Sequence, residues 1–219
     1  MRKIILLILI ICSYSFADKD YYKEGLDFLL QNNIEKAIES FEKSSDDGNA
    51  LAMFKLGLIA EIQEKNQEAI KWYQKAKAGG NIKAKYRLGV LSCQMQSYTY
   101  LDDFKDYAKN STKDVQYDLA VCLSKKGDKP EALKWFKIVA DKNDSKAQYQ
   151  VAMLVDGDDR VKWLTKSAKN GYSEAEFDLG KILFMQKKFK KAKFWLKKAK
   201  KSGSKRADEY LKRMKELDL

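Results

Sequence analysis

The sequence predicts an all-α fold: a right-handed α/α solenoid of about six helix-turn-helix repeats plus a C-terminal capping helix. Three observations predict it. The pattern A-x-x-x-L-G occurs at Ala52-Leu56-Gly57, Ala84-Leu88-Gly89 and Ala175-Leu179-Gly180, with weaker copies at Val115-Leu119-Ala120 and Ala147-Val151-Ala152. The resulting anchors, positions 24, 56, 88, 119, 151 and 179 with a seventh at Leu211, recur at a period near 32. All four tryptophans, Trp72, Trp135, Trp163 and Trp195, share one later register, with Ser40 and Phe104 standing in for the other copies. Eight residues past that register come Gly48, Gly80, Asn143, Gly171 and Gly203, where a helix needs a left-handed residue to stop; only the third copy, with Thr112 there, lacks one. No single apolar stripe of this kind can bury itself, so neighbouring copies must stack to form a core.

In chain order, residues 1–17 (MRKIILLILIICSYSFA) read as a secretory signal peptide: a basic head, an apolar run too short to span a bilayer, and Ser15-Phe16-Ala17 as a small-x-small cleavage site. A lipoprotein would need a small residue before Cys12, where Ile11 stands. The mature protein is therefore expected to begin at Asp18 and to be periplasmic or secreted. Residues 18–219 form one solenoid domain, with repeats at about 18–48, 49–80, 81–111, 112–143, 144–171 and 172–203 and a cap helix at 204–219. Asn32-Asn33, Lys65-Asn66 and Lys126-Gly127-Asp128 supply turns within the hairpins. Pro130, the only proline, falls at the start of a helix, where proline is tolerated. The fifth copy is short: anchor to tryptophan is sixteen residues elsewhere but twelve there, one helical turn less, around Leu154-Val155-Asp156-Gly157. Ser204 can cap the last helix, whose single apolar stripe, Ala207, Leu211 and Met214, suits a terminal cap with one wet face.

The combination A-x-x-x-L-G, then A-x-x-W-x-x-K-A, then Gly resembles the Sel1-like repeat (SLR), a relative of the tetratricopeptide repeat, in its secreted bacterial type. The resemblance covers nearly all of the mature chain, most clearly in the second and sixth copies. The units are shorter than is usual for that family, and the third copy matches in its second helix only at Phe104 and Ala108. The resemblance implies a non-enzymatic scaffold that holds a protein or peptide in its concave groove. Cysteine-rich secreted relatives, described as β-lactam-binding or β-lactamase proteins, carry a cysteine pair in each repeat; here the mature chain keeps only Cys93 and Cys122. These lie five and three residues past their anchors, an offset that turns them about 200° apart around a helix. Two separate buried thiols are the expectation, with a bridge as the alternative.

The composition offers little chemistry. There is no histidine, which removes the commonest general base and metal ligand. The acidic run Asp156-Gly157-Asp158-Asp159 lacks the alternating ligands of a calcium loop and reads as helix capping. Ser40-Phe41-Glu42-Lys43 and Ser202-Gly203-Ser204-Lys205 spell S-x-x-K, but the S-D-N and K-T-G partners of serine β-lactamases are absent. No catalytic, cofactor or metal site is expected, and a β-lactam-directed activity is the weakest alternative.

Two surfaces carry the functional expectations. An aromatic stands two residues before each anchor: Tyr22, Phe54, Tyr86, Tyr117, Tyr149 and Phe177. The ladder faces away from the Ala/Leu seam and is the expected partner-binding groove, unless its rings are spent packing on the next copy. The second surface is basic. The formal charge is +12 and falls to +10 without Arg2 and Lys3; residues 181–219, with 15 basic and 4 acidic side chains, hold +11, leaving −1 for residues 18–180. Phe194 falls where the other copies have Glu39, Lys71, Asp103, Lys134 and Lys162, and its helical neighbours are Lys190, Lys191, Lys197 and Lys198. That arrangement predicts contact with an anionic surface, membrane or cell envelope, as a tether; nucleic acid is not an expected partner. Finally, Asp141-Lys142-Asn143-Asp144-Ser145 resembles a bacterial N-glycosylation acceptor, making Asn143 a candidate site, detectable by intact mass.

Overall fold

The computed structural model describes residues 20–218, so the signal-peptide reading lies outside the described residues. Among these there are thirteen helices and no strand. They are α1 (Tyr21–Leu30), α2 (Ile34–Asp46), α3 (Ala50–Ile62), α4 (Asn66–Ala78), α5 (Lys83–Gln94), α6 (Leu101–Lys109), α7 (Lys113–Lys126), α8 (Lys129–Ala140), α9 (Ser145–Leu154), α10 (Gly157–Lys169), α11 (Ser173–Met185), α12 (Phe189–Lys201) and α13 (Lys205–Glu216). The chain divides into two compact units, Met1–Leu91 and Ser92–Leu219.

Within each unit the repeating element is a helical hairpin closed by one residue pair. At three anchors, the glycine that follows faces a bulky side chain of the next helix. A Cβ on Gly25 would come 2.6 Å from the Phe41 ring, one on Gly57 2.5 Å from Tyr73, and one on Gly180 2.8 Å from Leu196. Phe41, Tyr73, Phe104, Phe136, Leu164 and Leu196 are all essentially buried. The core register is therefore one residue past the tryptophans, whose rings are only half-buried. This corrects the third copy: Phe104 is its core residue, not its tryptophan equivalent, so that copy is one residue shorter than its neighbours and its exposed counterpart of Phe194 is Asp102 rather than Asp103.

The stops fall where the pattern predicts. Gly48, Gly80, Asn143, Gly171 and Gly203 all have φ between 61° and 91°, whereas Thr112 is an extended N-cap at −66°. Tight turns inside hairpins also use left-handed residues, Asn32, Glu64, Gly127 and Lys187. Asp20, Asn33, Asn49, Asp128, Asp144 and Ser204 each accept a backbone N–H of the first turn that follows. Asp156 precedes α10 without such a bond, and Asp158 and Asp159 instead lie in its first turn, beside the positive end of the helix. The short fifth copy is realised as a ten-residue α9, ended by extended Val155.

Cys93 and Cys122 form a disulfide, with Cα atoms 5.6 Å apart. The expectation of separate thiols fails because it treated the two helices as facing the same way. Neighbouring parallel helices present opposite faces to each other, so an offset of about 200° is what lets two side chains meet.

Candidate functional site

In the first unit the start of α3, the end of α4 and the start of α5 surround a concavity of about 520 Å³. Its walls are Tyr22 from α1, Leu51, Phe54 and Lys55 from α3, and Asn81, Ile82 and Lys83 after the Gly80 stop. Leu51 is 54% and Ile82 65% exposed, unusual for branched aliphatic side chains that line one hollow. Gly79 is required at the base, since a Cβ there would lie 2.8 Å from the Ala50 Cβ. The Asn81 side-chain amide donates to the Ala50 carbonyl at 3.5 Å, and its oxygen accepts the Lys83 N–H at 3.1 Å.

The aromatic walls are fixed from behind. Phe54 packs on Tyr73 with centroids 5.5 Å apart, and Tyr22 on Phe41 at 5.8 Å. The Tyr73 hydroxyl donates to the Glu61 carboxylate at 2.7 Å, and the Arg87 guanidinium grips the same carboxylate through two nitrogens. Burial, reinforced by the Glu61 carboxylate, pushes the Tyr73 phenol well above its ordinary value. No acid lines the concavity, and Lys55 and Lys83 do. It can take apolar side chains with negative charge beside them.

The ladder diverges in the second unit. Tyr117 packs edge-on against Phe136 at 5.5 Å and borders a hollow of about 310 Å³ lined by Asp114, Asp118, Asp144, Ser145 and Lys146, of opposite charge character to the first. Burial alone would raise the Asp144 carboxyl, but the Ala147 amide and the Lys113 ammonium at 3.1 Å outweigh it and hold it below the usual range. Tyr149 packs on Tyr172 at 5.1 Å and donates to Asp178 at 2.9 Å. Phe177 is 3% exposed, covered by Tyr210 of the cap helix and by the Arg206 guanidinium 4.4 Å from its ring, which removes it from any open groove. Ladder rings thus pack within their own copy at Tyr22, Phe54 and Tyr117, on the next copy at Tyr149, and on the cap helix at Phe177. Tyr86 is half-buried on α5.

The sequence reading missed a polar series three residues before the anchors. Gln116 donates to the Ala108 carbonyl and Gln148 to the Ala140 carbonyl, both at 3.1 Å, each satisfying the end of the preceding helix. Glu176 follows at the same position, buried and bonded to the Ser202 hydroxyl at 3.2 Å. The recurrence Gln116, Gln148, Glu176 was readable as a pattern. Of the S-x-x-K serines, Ser40 is buried at 5% and Lys43 sits over the Tyr21 ring, while Ser202 caps α12. Asn143 is exposed at its left-handed stop. On α12, Phe194 is 56% exposed and meets the Trp195 ring edge-on at 5.1 Å, with Lys190, Lys191, Lys197 and Lys198 exposed around it.

Repeated hairpins closed by small-on-bulky contacts define a helical-repeat protein of the all-α solenoid class. Comparison with known proteins agrees. Residues 22–81 match the tetratricopeptide repeat, and residues 114–144, 161–172 and 173–204 match the Sel1 repeat. The chain is a Sel1-like repeat protein. No curated protein matches it. Among solved structures it is similar to c5321, a protective antigen of uropathogenic Escherichia coli with an SLR fold, at 23% identity and a TM-score of 0.62, over 89% of this chain and 48% of that one. This chain thus spans about half the length of c5321. It is also similar to a Sel1 repeat protein from Oxalobacter formigenes (23% identity, TM-score 0.55, 88% of this chain and 89% of that one). A third relative in fold is YrrB, a TPR protein with an unusual peptide-binding site (19% identity, TM-score 0.62, 80% and 99%). Repeats of this kind generally mediate protein–protein interaction, and such scaffolds are typically non-catalytic.

Proposed function

We propose that this protein is a non-enzymatic, extracytoplasmic adaptor that holds a protein or peptide segment in the first-unit concavity, with apolar side chains against Tyr22, Leu51, Phe54 and Ile82 and acidic groups beside Lys55 and Lys83. The observation that carries it is the exposure of Leu51 and Ile82 together in a hollow whose aromatic walls are braced by the Tyr73–Glu61–Arg87 network. Exposed aliphatic side chains in a preformed hollow lose little order on binding and leave water when covered. YrrB, of the same fold, offers a precedent for peptide binding. The signal-like residues 1–17 and the Cys93–Cys122 disulfide both suit an oxidising compartment outside the cytoplasm. The test is affinity capture from the native envelope with residues 18–219 and with the double variant Leu51→Asp, Ile82→Asp. A polypeptide retained by the former and lost from the latter, with helicity unchanged in both, is the expected result. The same polypeptides retained by both would refute the site.

A further inference from the structure

The helix with the greatest net charge is α12, which lies outside that concavity. Its buried side chains, Ala192, Leu196 and Ala199, are all 0% exposed and define one face. On a helix of about 100° per residue, Phe194 points to the opposite face, and Lys190, Lys191, Lys197, Lys198 and Lys201 all fall within about 60° of it. All five are exposed, and the helix contains no acid. Among the described residues Lys190, Lys191, Lys197 and Lys201 have no ion-pair partner, while Lys198 lies 3.9 Å from Glu176 and over the Phe194 and Trp195 rings. The corresponding outward position is charged in the other copies: Glu39, Lys71, Asp102, Lys134 and Lys162. Four of these lysines gain no ion pair from the fold and repel one another, and the Phe194 ring they surround, although it meets Trp195 edge-on, is left 56% exposed to water.

We infer that the outer face of α12 is a docking surface for an anionic phospholipid bilayer. The ammonium groups are drawn to the headgroup phosphates, and Phe194 enters the interface between headgroups and acyl chains. An acidic protein would satisfy the lysines, but the ring in their midst favours a partner with an apolar layer directly beneath its charge. Each lysine within a Debye length of the surface contributes about fivefold in partitioning, so four unpaired lysines suffice for reversible binding, weakened by salt.

The test is sedimentation of residues 18–219 with vesicles of phosphatidylglycerol and phosphatidylcholine, against vesicles of phosphatidylcholine alone. The expected result is binding to the first only, released as salt rises. Phe194→Glu should reduce the partition coefficient about tenfold or more, Phe194→Leu should largely keep it, and Lys190→Gln with Lys191→Gln and Lys197→Gln should cost about 100-fold. All replace exposed side chains, and circular dichroism verifies that helicity is kept. Phe54→Ala, in the first-unit concavity, should leave vesicle binding unchanged, so this inference and the adaptor reading fail separately. Equal binding to both vesicles, or no effect of Phe194→Glu, overturns the proposal. So does binding to a soluble polyanion as tight as to vesicles, which would assign the face to an acidic macromolecule.

Discussion

At the scale of single residues, the hairpins depend on what glycine permits and on what it would relieve. Gly57 has no room for a Cβ against Tyr73, so Gly57→Ala should destabilise by about 1–3 kcal/mol, measured by denaturant unfolding. Glu64 and Lys187 show the reverse case, since both hold left-handed backbone at φ 60° with side chains that disfavour it. Glu64→Gly and Lys187→Gly should each stabilise by about 0.5–1 kcal/mol, the relieved strain exceeding glycine's extra entropy cost; a loss of stability would show that the side chains make compensating contacts. Tyr73 and Tyr149 give a pH prediction. Burial first, then the carboxylates of Glu61 and Asp178, hold both phenols above the ordinary value of about 10. A raised folded value means the contribution is fully present below about pH 10 and is lost as pH rises toward the folded value, because the unfolded chain gives up protons that the folded chain keeps. Phenolate absorbance of residues 18–219, which hold eleven tyrosines, should therefore show Tyr73 and Tyr149 resisting ionisation until helicity is lost. Titration of all eleven in one step within a folded protein would contradict the buried network.

At the scale of the element, the third copy is the irregular one. Its second helix α6 has nine residues, its core residue arrives one position early, and it has no glycine stop. The disulfide spans this copy, joining the last turn of α5 to α7 across a sequence separation of 29. Closing a loop of that length restricts the unfolded chain by about 3–4 kcal/mol. Reduction, or Cys93→Ser with Cys122→Ser, should thus lower unfolding stability by about 2–4 kcal/mol without changing helix content; an unchanged midpoint on reduction would argue that the bond is absent from the protein in solution. Elements were largely legible in the sequence because each copy repeats the same signals: Leu56-Gly57, Trp72 and Gly80 mark helix, helix and stop. What was illegible has physical reasons. Phe104 satisfies an aromatic pattern in either of two adjacent registers, and only packing distinguishes them. The pairing of Cys93 with Cys122 depends on how two helices face each other, which spacing within each helix does not state.

At the scale of the molecule, each unit presents its own surface. The ladder of Tyr22, Phe54, Tyr86, Tyr117, Tyr149 and Phe177 was visible as a sequence regularity, yet its members differ in surroundings. Tyr22 and Phe54 border a hollow with lysines, Tyr117 one with aspartates, and Phe177 is sealed by the cap helix. The side chains that make the first hollow apolar, Leu51 and Ile82, carry no motif. They become neighbours because each follows a left-handed stop, Gly48 or Gly80, that turns the chain into the next helix. The charge asymmetry of residues 181–219 was legible from counting alone, whereas the exposure of Phe194 required the helix to be packed.

The adaptor reading is tested most directly by photo-crosslinking in the native host. A photoreactive phenylalanine analogue is placed at Leu51 or Ile82, with Ile138, an exposed aliphatic residue on α8, as the control position. The account predicts that Leu51 and Ile82 both crosslink to one and the same polypeptide, that Ile138 does not, and that Phe54→Ala abolishes the adduct. Crosslinking of equal pattern from all three positions, or none from Leu51 and Ile82 in a folded and exported protein, would contradict it.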